Sequence, residues 1–318
     1  MAKKVVFLDT VHPILEKRLS AAKFECVDAT NHSIESVKRL LLDAFGVVIR
    51  SRFRMDESIL QFAPNLQFIA RSGAGMENID EAYCNNRTIH LFNAPEGNRN
   101  AVAEHALGML LSLFNKLNKA DREVRSGIWD REGNRGVELD GKTVAIIGYG
   151  NNGQAFAKKL TGFDVKILAY DKYKSGFSTK QVEESTLANI YLNADVVSFH
   201  IPQNEETIGW ANTTFFTQFA KPFYLINLSR GKIVCTTDLL NALHSGKILG
   251  ACLDVLEYEK ASFENMFDEG TIPTSFNQLI QSDKVILSPH VGGWTIESYF
   301  LLSDVLADKI LAHFNPLR

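Results

Sequence analysis

The chain has 318 residues, 45% hydrophobic and 22% charged, with a formal net charge of −3. That is an ordinary globular composition, long enough for two domains. Its slight acidic balance offers nothing to nucleic acid or an anionic membrane surface. The opening M-A-K-K-V-V-F-L-D-T reaches Asp9 after four apolar residues and reads as a first strand rather than a signal segment. The longest apolar stretch, around His105–Phe114, is too short to span a bilayer. Cys26, Cys84, Cys235 and Cys252 are scattered without metal-ligand spacing, so no metal is expected, and free thiols in a reducing cytoplasm fit them.

Residues 1–98 alternate strand and helix. Apolar runs at Lys4–Leu8, Phe24–Val27, Gly46–Ile49, Leu66–Ala70 and Ile89–Phe92 read as strands, with Ile14–Ala21, Ile34–Ala44, Glu57–Phe62 and Asn78–Asn85 as helices between them. Five strands with helical crossovers predict a parallel, flavodoxin-like sheet. Asn100–Asn118 is a helical pattern apolar on nearly every side, which requires cover all round, from a second domain or a second subunit. Asp121–Leu139 is charged, contains glycine and a lone Trp129, and reads as a projecting arm.

A second series begins at Thr143. Thr143–Ile147 is a buried-strand run that feeds G-Y-G-N-N-G; a helix, Gln154–Leu160, and a strand, Val165–Tyr170, follow, ending in Asp171. Strand, G-x-G-x-x-G, helix and an acid 18 residues past the last glycine form a dinucleotide fingerprint. Gly148 makes the tight turn, Gly150 admits a pyrophosphate and Gly153 lets helix pack on strand. The helix N-terminus then offers N–H groups to phosphate. Asp171 is placed to accept from an adenosine ribose and to repel a 2′-phosphate, which favours NAD; Lys172 and Lys174 follow closely and leave NADP open. Further strands read at Val196–His200, Phe223–Leu228, Gly250–Val255 and Val285–Ser288. The last helix, Thr295–Phe314, has no sheet of its own and is expected to return to the first domain. The fold class expected is α/β, two doubly wound parallel-sheet domains: a flavodoxin-like substrate domain at 1–98 plus 295–318, and a Rossmann NAD-binding domain at 99–294.

In open α/β sheets the working groups lie past the carboxyl ends of strands. Those positions hold Arg71-Ser72-Gly73-Ala74-Gly75, Ser229-Arg230-Gly231, Asp254 with Glu257 and Glu259, and Pro289-His290-Val291-Gly292-Gly293. Oxidising a 2-hydroxy acid sends a hydride from carbon and a proton from the hydroxyl. A histidine takes such a proton near neutral pH, a nearby glutamate stabilises the imidazolium, and an arginine fork holds the carboxylate. His200 ends a strand before Pro202 and faces the expected cofactor; His12, His32, His90, His105 and His244 are read as structural or surface residues.

The runs R-S-G-A-G-M-E-N-I-D (71–80), N-A-P-E-G-N-R-N-A-V-A-E-H-A-L (93–107), G-Y-G-N-N-G (148–153), F-H-I-P (199–202), N-L-S-R-G (227–231), L-D-V-L-E-Y-E (253–259) and S-P-H-V-G-G (288–293) together resemble the D-isomer-specific 2-hydroxyacid dehydrogenases over nearly the whole chain. The resemblance implies Arg230, Glu259 and His290 as catalytic residues, the glutamate standing five residues after Asp254. Beside Gly148, Gly150, Gly153, His200 and Pro202, already placed at the cofactor, it implies cofactor contacts from Asn151, Asn152, Asp171, Leu228, Ser229, Arg230, Asp254, His290, Gly292 and Gly293. It also implies that Ser72, Gly73 and Ala74 present backbone N–H groups to a substrate carboxylate. Three departures stand out: Lys260 replaces the usual proline, Phe263–Gln278 reads as an insertion, and Asn152 replaces the usual isoleucine. No regulatory domain is expected after the last helix.

The expected function is a cytoplasmic, homodimeric NAD-dependent oxidoreductase of a small-molecule D-2-hydroxy/2-keto acid. A second class, a NAD-sensing binding protein of the same fold, is separated from it by turnover. Within the enzyme class, Arg50-Ser51-Arg52 follows a strand, and alternation in an extended segment points both guanidiniums one way. That suits a phosphorylated acid such as 3-phosphoglycerate, against the plainer reading of a solvated basic edge or of arginines paired with Asp56 and Glu57; a glyoxylate/hydroxypyruvate reductase is the alternative.

Overall fold

Strand–helix alternation runs through the whole computed structural model, which describes residues 3–259 and 273–314. These fall into two compact units, one formed by residues up to Arg99 with those from Trp294 onward, the other by the described residues between Asn100 and Gly293.

The first unit runs β1 (Lys3–Phe7), α1 (Ile14–Ala21), β2 (Phe24–Asp28), α2 (Ile34–Leu41), β3 (Gly46–Ile49), α3 (Glu57–Leu60), β4 (Phe68–Arg71), α4 (Glu81–Asn86) and β5 (His90–Asn93). The sheet is wholly parallel in the order β2-β1-β3-β4-β5, the flavodoxin-like order. Val47, Val48 and Ile49 of β3 are completely buried, as a central strand covered on both faces must be. Side-chain caps start most of the helices: Ser33 accepts from Ser36, Asp56 from Ser58 and Asp80 from Tyr83. Cys84 is buried beneath β5. The final helix packs Leu302, Leu306 and Ile310 on this unit, beside Val5, Leu15 and Phe68. Arg18 pairs with Asp304 at 2.6 Å.

The second unit takes most of α5 (Pro95–Phe114), then α6 (Leu117–Arg125), β6 (Thr143–Ile147), α7 (Asn151–Leu160), β7 (Lys166–Tyr170), β8 (Val182–Glu184), α8 (Leu187–Asn193), β9 (Val196–Phe199), α9 (Thr213–Thr217), β10 (Phe223–Asn227), α10 (Thr236–His244), β11 (Ile248–Leu253), α11 (Thr274–Ile280) and β12 (Val285–Leu287); the final helix is α12 (Ile296–Phe314). Its sheet is parallel in the order β12-β11-β10-β9-β6-β7-β8, the doubly wound order that reverses between β6 and β9. Cys252 is buried in β11.

Two expectations change here. The segment read as an arm from Asp121 is helical as far as Arg125, because α6 closes i,i+4 ion pairs, Lys119–Glu123 and Arg125–Asp121, both at 2.9 Å. Within the chain α5 is not covered on every side: Glu104 and Gly108 are exposed and Leu107 and Leu111 half-buried. The segment read as an insertion lies outside the described residues up to 272, and α11 begins two residues later.

Candidate active site

The sheet order of the second unit reverses at the glycine turn. Gly148, just past β6, has φ +96°, and a Cβ there would lie 2.4 Å from the His200 carbonyl at the end of β9. A Cβ on Gly153 would lie 2.0 Å from the Gly148 carbonyl. A Cβ on Gly150 would meet nothing within 4 Å. Two of the glycines thus close the turn on itself and the third faces open space, the geometry a pyrophosphate needs. Helix α7 starts at once after Gly150 with no side-chain cap, and its N-terminus is the kind of end that favours an anion. Among the described residues, the buried Asn152 Oδ1 atom has no hydrogen-bond partner there. A cavity of about 350 Å³ opens beside the turn, lined by Gly148, Gly150, Asp171, His200, Pro202 and Trp210 among others. These features fit the dinucleotide that the motif implies.

Asp171 also braces the turn. Its Oδ2 accepts from the Tyr149 N–H at 2.8 Å, and its Oδ1 from those of Tyr173 and Lys174 at 2.9 and 3.1 Å. His200 places Nε2 at 2.9 Å from Ser198 Oγ and its ring 5.4 Å from Phe156. Burial pushes its pKa down to about 4, so the imidazole is neutral at physiological pH.

A second cluster gathers past β10, β11 and β12. Asp254, 2% exposed, accepts from Ser288 Oγ at 2.5 Å, the Val291 N–H at 2.9 Å and the Gly292 N–H at 2.7 Å. Its carbonyl accepts the His290 N–H at 2.8 Å. Those bonds hold His290 at φ +55°, a left-handed conformation costly for a non-glycine residue. A Cβ on Gly292 would lie 2.8 Å from Asp254 Oδ2. His290 Nδ1 then stands 2.6 Å from Glu259 Oε2, while the other Glu259 oxygen accepts the Leu256 N–H. Glu257 is used elsewhere: its Oε2 accepts the Thr236 N–H at 2.8 Å, at the start of α10. Of the two glutamates left open by the sequence, Glu259 is the one beside the histidine.

Arg230 lies in extended backbone at φ −144°, with Nη1 2.6 Å from the Ser229 carbonyl. The turn that carries it is braced by buried Asn227, whose Nδ2 donates to the Arg230 carbonyl at 2.9 Å and whose Oδ1 accepts from the Ser229 Oγ at 2.7 Å. A Cβ on Gly231 would fall 1.9 Å from the Leu256 carbonyl, so this turn lies directly against the segment that bears Glu259. Leu228 and Ser229 are buried beneath it.

The substrate residues expected on the first unit are arranged differently from their sequence reading. The Arg52 guanidinium is engaged by three backbone carbonyls, those of Leu8 (3.1 Å), Ala29 (2.9 Å) and His32 (2.5 Å). Arg50 lies over the Trp294 ring at 4.2 Å. The two guanidiniums therefore do not form one clamp. The cause is Asp9, whose Oδ2 accepts the consecutive N–H groups of Arg50, Ser51 and Arg52 at 2.7, 3.0 and 3.1 Å, curling a segment that alternation treats as extended. The Ser72 and Gly73 N–H groups are likewise taken internally, by the carbonyls of Ile49 and Arg71 at 2.8 and 2.9 Å. Neither N–H is left for a substrate carboxylate; among the described residues, the Ala74 N–H is not spent in this way.

Residues 107–292 match the D-isomer specific 2-hydroxyacid dehydrogenase, NAD binding domain. A glyoxylate reductase of Thermofilum pendens is 32% identical over 98% of this chain and 92% of its own. The chain belongs to the D-isomer specific 2-hydroxyacid dehydrogenase family. A D-3-phosphoglycerate dehydrogenase of Archaeoglobus fulgidus is 32% identical over 91% of this chain, which spans only 53% of that relative's length. The structure of a D-lactate dehydrogenase from Aquifex aeolicus shares the fold of this family member, with a TM-score of 0.82, 24% identity and coverage of 98% of this chain and 96% of its own. The second unit is thus a NAD-binding domain of this family.

Several residues at these sites were missed by sequence reasoning. Asn227 stood inside a quoted motif without a role. His105, read as structural or surface, places Nε2 2.9 Å from Ser288 Oγ and 3.6 Å from Asp254 Oδ1. Asp9 carried no motif at all. Among the described residues, no helix is long and apolar enough to cross a membrane.

Proposed function

We propose that this chain is a NAD-dependent oxidoreductase that interconverts a D-2-hydroxy acid and its 2-keto acid. The observation that carries the proposal is the 2.6 Å His290–Glu259 pair, set in a loop organised by Asp254 beside the Arg230 turn. With Nδ1–H donated to the carboxylate, His290 presents Nε2 as the basic nitrogen. In oxidation it takes the hydroxyl proton, and in reduction it returns that proton to the carbonyl oxygen. Glu259 stabilises the imidazolium formed in the first direction. The Arg230 fork holds the substrate carboxylate and polarises the reacting oxygen. The nicotinamide, when bound, supplies the hydride chemistry. Gly148, Gly150, Asn151, Asn152 and Gly153 hold its pyrophosphate, Asp171 its adenosine ribose, and His200, Pro202, Leu228, Ser229, Gly292 and Gly293 the surrounding walls.

On the first unit, Arg50 and the Ala74 N–H are the groups assigned to substrate. Because Arg52 is spent on carbonyls, the reading favoured is a small 2-keto acid such as glyoxylate or hydroxypyruvate. A phosphorylated acid is the second reading, favoured by Arg50, a guanidinium that lies 4.2 Å from the Trp294 ring past the end of β3. Initial rates with NADH and a panel of glyoxylate, hydroxypyruvate, pyruvate and 3-phosphohydroxypyruvate decide between them. His290→Ala is expected to lower kcat by roughly 10²–10⁴ while NADH still binds. Glu259→Gln is expected to move the pH profile of kcat/KM, and Glu257→Gln to leave it in place. Tight NADH binding without turnover of any acid would favour a NAD-sensing regulator instead.

The assembly proposed is a homodimer through the second unit, in the cytoplasm, where four free thiols persist. The open strip of α5 continues into Leu117, Val124, Ile128 and Trp129, the last 80% exposed. Light scattering showing a monomer at micromolar concentration would remove this part of the reading.

A further inference from the structure

The dinucleotide cavity has two rims. One carries Asp171, Lys172 and Tyr173, past β7; the other carries Asn204, Glu206 and Thr207, past β9. A single carboxylate oxygen ties them together: Glu206 Oε2 accepts Lys172 Nζ at 2.5 Å and the Tyr173 hydroxyl at 3.3 Å. The bond to Glu206 raises the Lys172 pKa, and the bond to Lys172 lowers that of Glu206.

Glu206 is not placed at random. Asn204 Oδ1 accepts the N–H groups of Glu206 and Thr207 at 3.0 and 3.1 Å, and Thr207 Oγ1 donates to the Pro202 carbonyl at 2.7 Å. This side-chain-closed turn holds the Glu206 backbone against the strand end before any ligand arrives. The other nearby cation is also engaged, since Lys174 Nζ donates to the Tyr149 carbonyl at 3.3 Å. Both lysines that follow Asp171 in the sequence therefore have oxygen partners in the protein.

A ribose 2′-phosphate carries nearly two negative charges and needs cations to hold it. We infer that Glu206 is a second cofactor-selectivity residue, which neutralises Lys172 across the cavity and so denies a 2′-phosphate its cation. Asp171 repels that phosphate directly, and Glu206 removes the counter-charge that would offset the repulsion. The inference rests on the reading that this cavity takes the adenosine half of NAD.

The test is equilibrium binding of NADH and NADPH to the intact protein, followed through tryptophan fluorescence, since Trp210 lines the cavity. In Glu206→Gln the NADPH/NADH affinity ratio is expected to rise roughly tenfold at low salt and by less at high salt. The double variant Glu206→Gln, Lys172→Met is expected to lose that gain. An unchanged ratio in Glu206→Gln overturns the inference while leaving the cavity assignment intact, and so does a gain that survives the loss of Lys172. If the unaltered protein binds neither cofactor, the cavity assignment falls and this inference with it.

Discussion

Asp9 and Asp254 hold the same post in two different sheets. Each stands just past the end of one strand and gathers the loop that follows the neighbouring strand: Asp9 the loop after β3, Asp254 the loop after β12. Asp254 divides its two oxygens between separate donors, so its loop stays spread and lifts His290 to Glu259. Asp9 takes three successive N–H groups on one oxygen, so its loop curls and Arg52 turns back to the carbonyls of Leu8, Ala29 and His32. The same residue type at the same post thus spreads one loop and curls the other, according to how its oxygens are shared among backbone donors.

The largest effect expected is at the buried member of the pair. Asp254→Asn replaces an acceptor by an amide that faces its former donors, and should cost about 2–4 kcal/mol of stability in urea unfolding. It should also remove most turnover by releasing His290. Asp9→Asn, nearer to solvent, should cost about 1–2 kcal/mol; equal losses at the two positions would break the comparison. Next comes Arg52→Ala, which should destabilise by about 1–3 kcal/mol through the loss of its bonds to the Leu8, Ala29 and His32 carbonyls. It should leave KM for the preferred acid within about twofold. A tenfold rise in KM with unchanged stability would return Arg52 to the substrate.

A comparably small effect sharpens the contrast at a strand end held by a neutral group. The folded-state pKa of His200, about 4, lies below its ordinary value of 6.5, so the unfolded chain takes up the proton first. Its contribution to stability is complete above about pH 6.5 and is lost as the pH falls toward about 4. With allowance for partial solvent access, the loss should be about 1–2 kcal/mol. His200→Gln should flatten that part of the stability profile, and an unaltered slope would show that the acid sensitivity arises elsewhere.

Most of the architecture was legible because both sheets are buried on two faces and write their strands as continuous apolar runs. Strand β8 was not, since Val182-Glu183-Glu184 is too short and too charged to leave a period. The glycine turn was legible to the residue, because strand, glycine fingerprint, helix and acid follow one another within a single βαβ unit from Thr143 to Asp171. The bracing of His290 was not, because Asp254 meets its partners 34 to 38 residues away through side-chain atoms that no local spacing encodes. The Arg50-Ser51-Arg52 reading failed for a related reason: alternation holds only while a chain is extended, and an aspartate 41 to 43 residues upstream bends this one.

The two buried cysteines give each sheet its own clock. Burial pushes the Cys84 thiol up to about 11 and the Cys252 thiol higher still, so neither supplies appreciable thiolate while its unit is closed. With the half-buried Cys26 and Cys235 replaced by serine, the remaining thiols would react with a disulfide reagent only when a sheet opens. The rate at Cys84 would then time openings of the flavodoxin-like unit, and the rate at Cys252 those of the nucleotide unit. Adding NADH should slow the second clock by mass action on the closed form, so occupancy of the cavity becomes measurable as a change in labelling kinetics, without turnover.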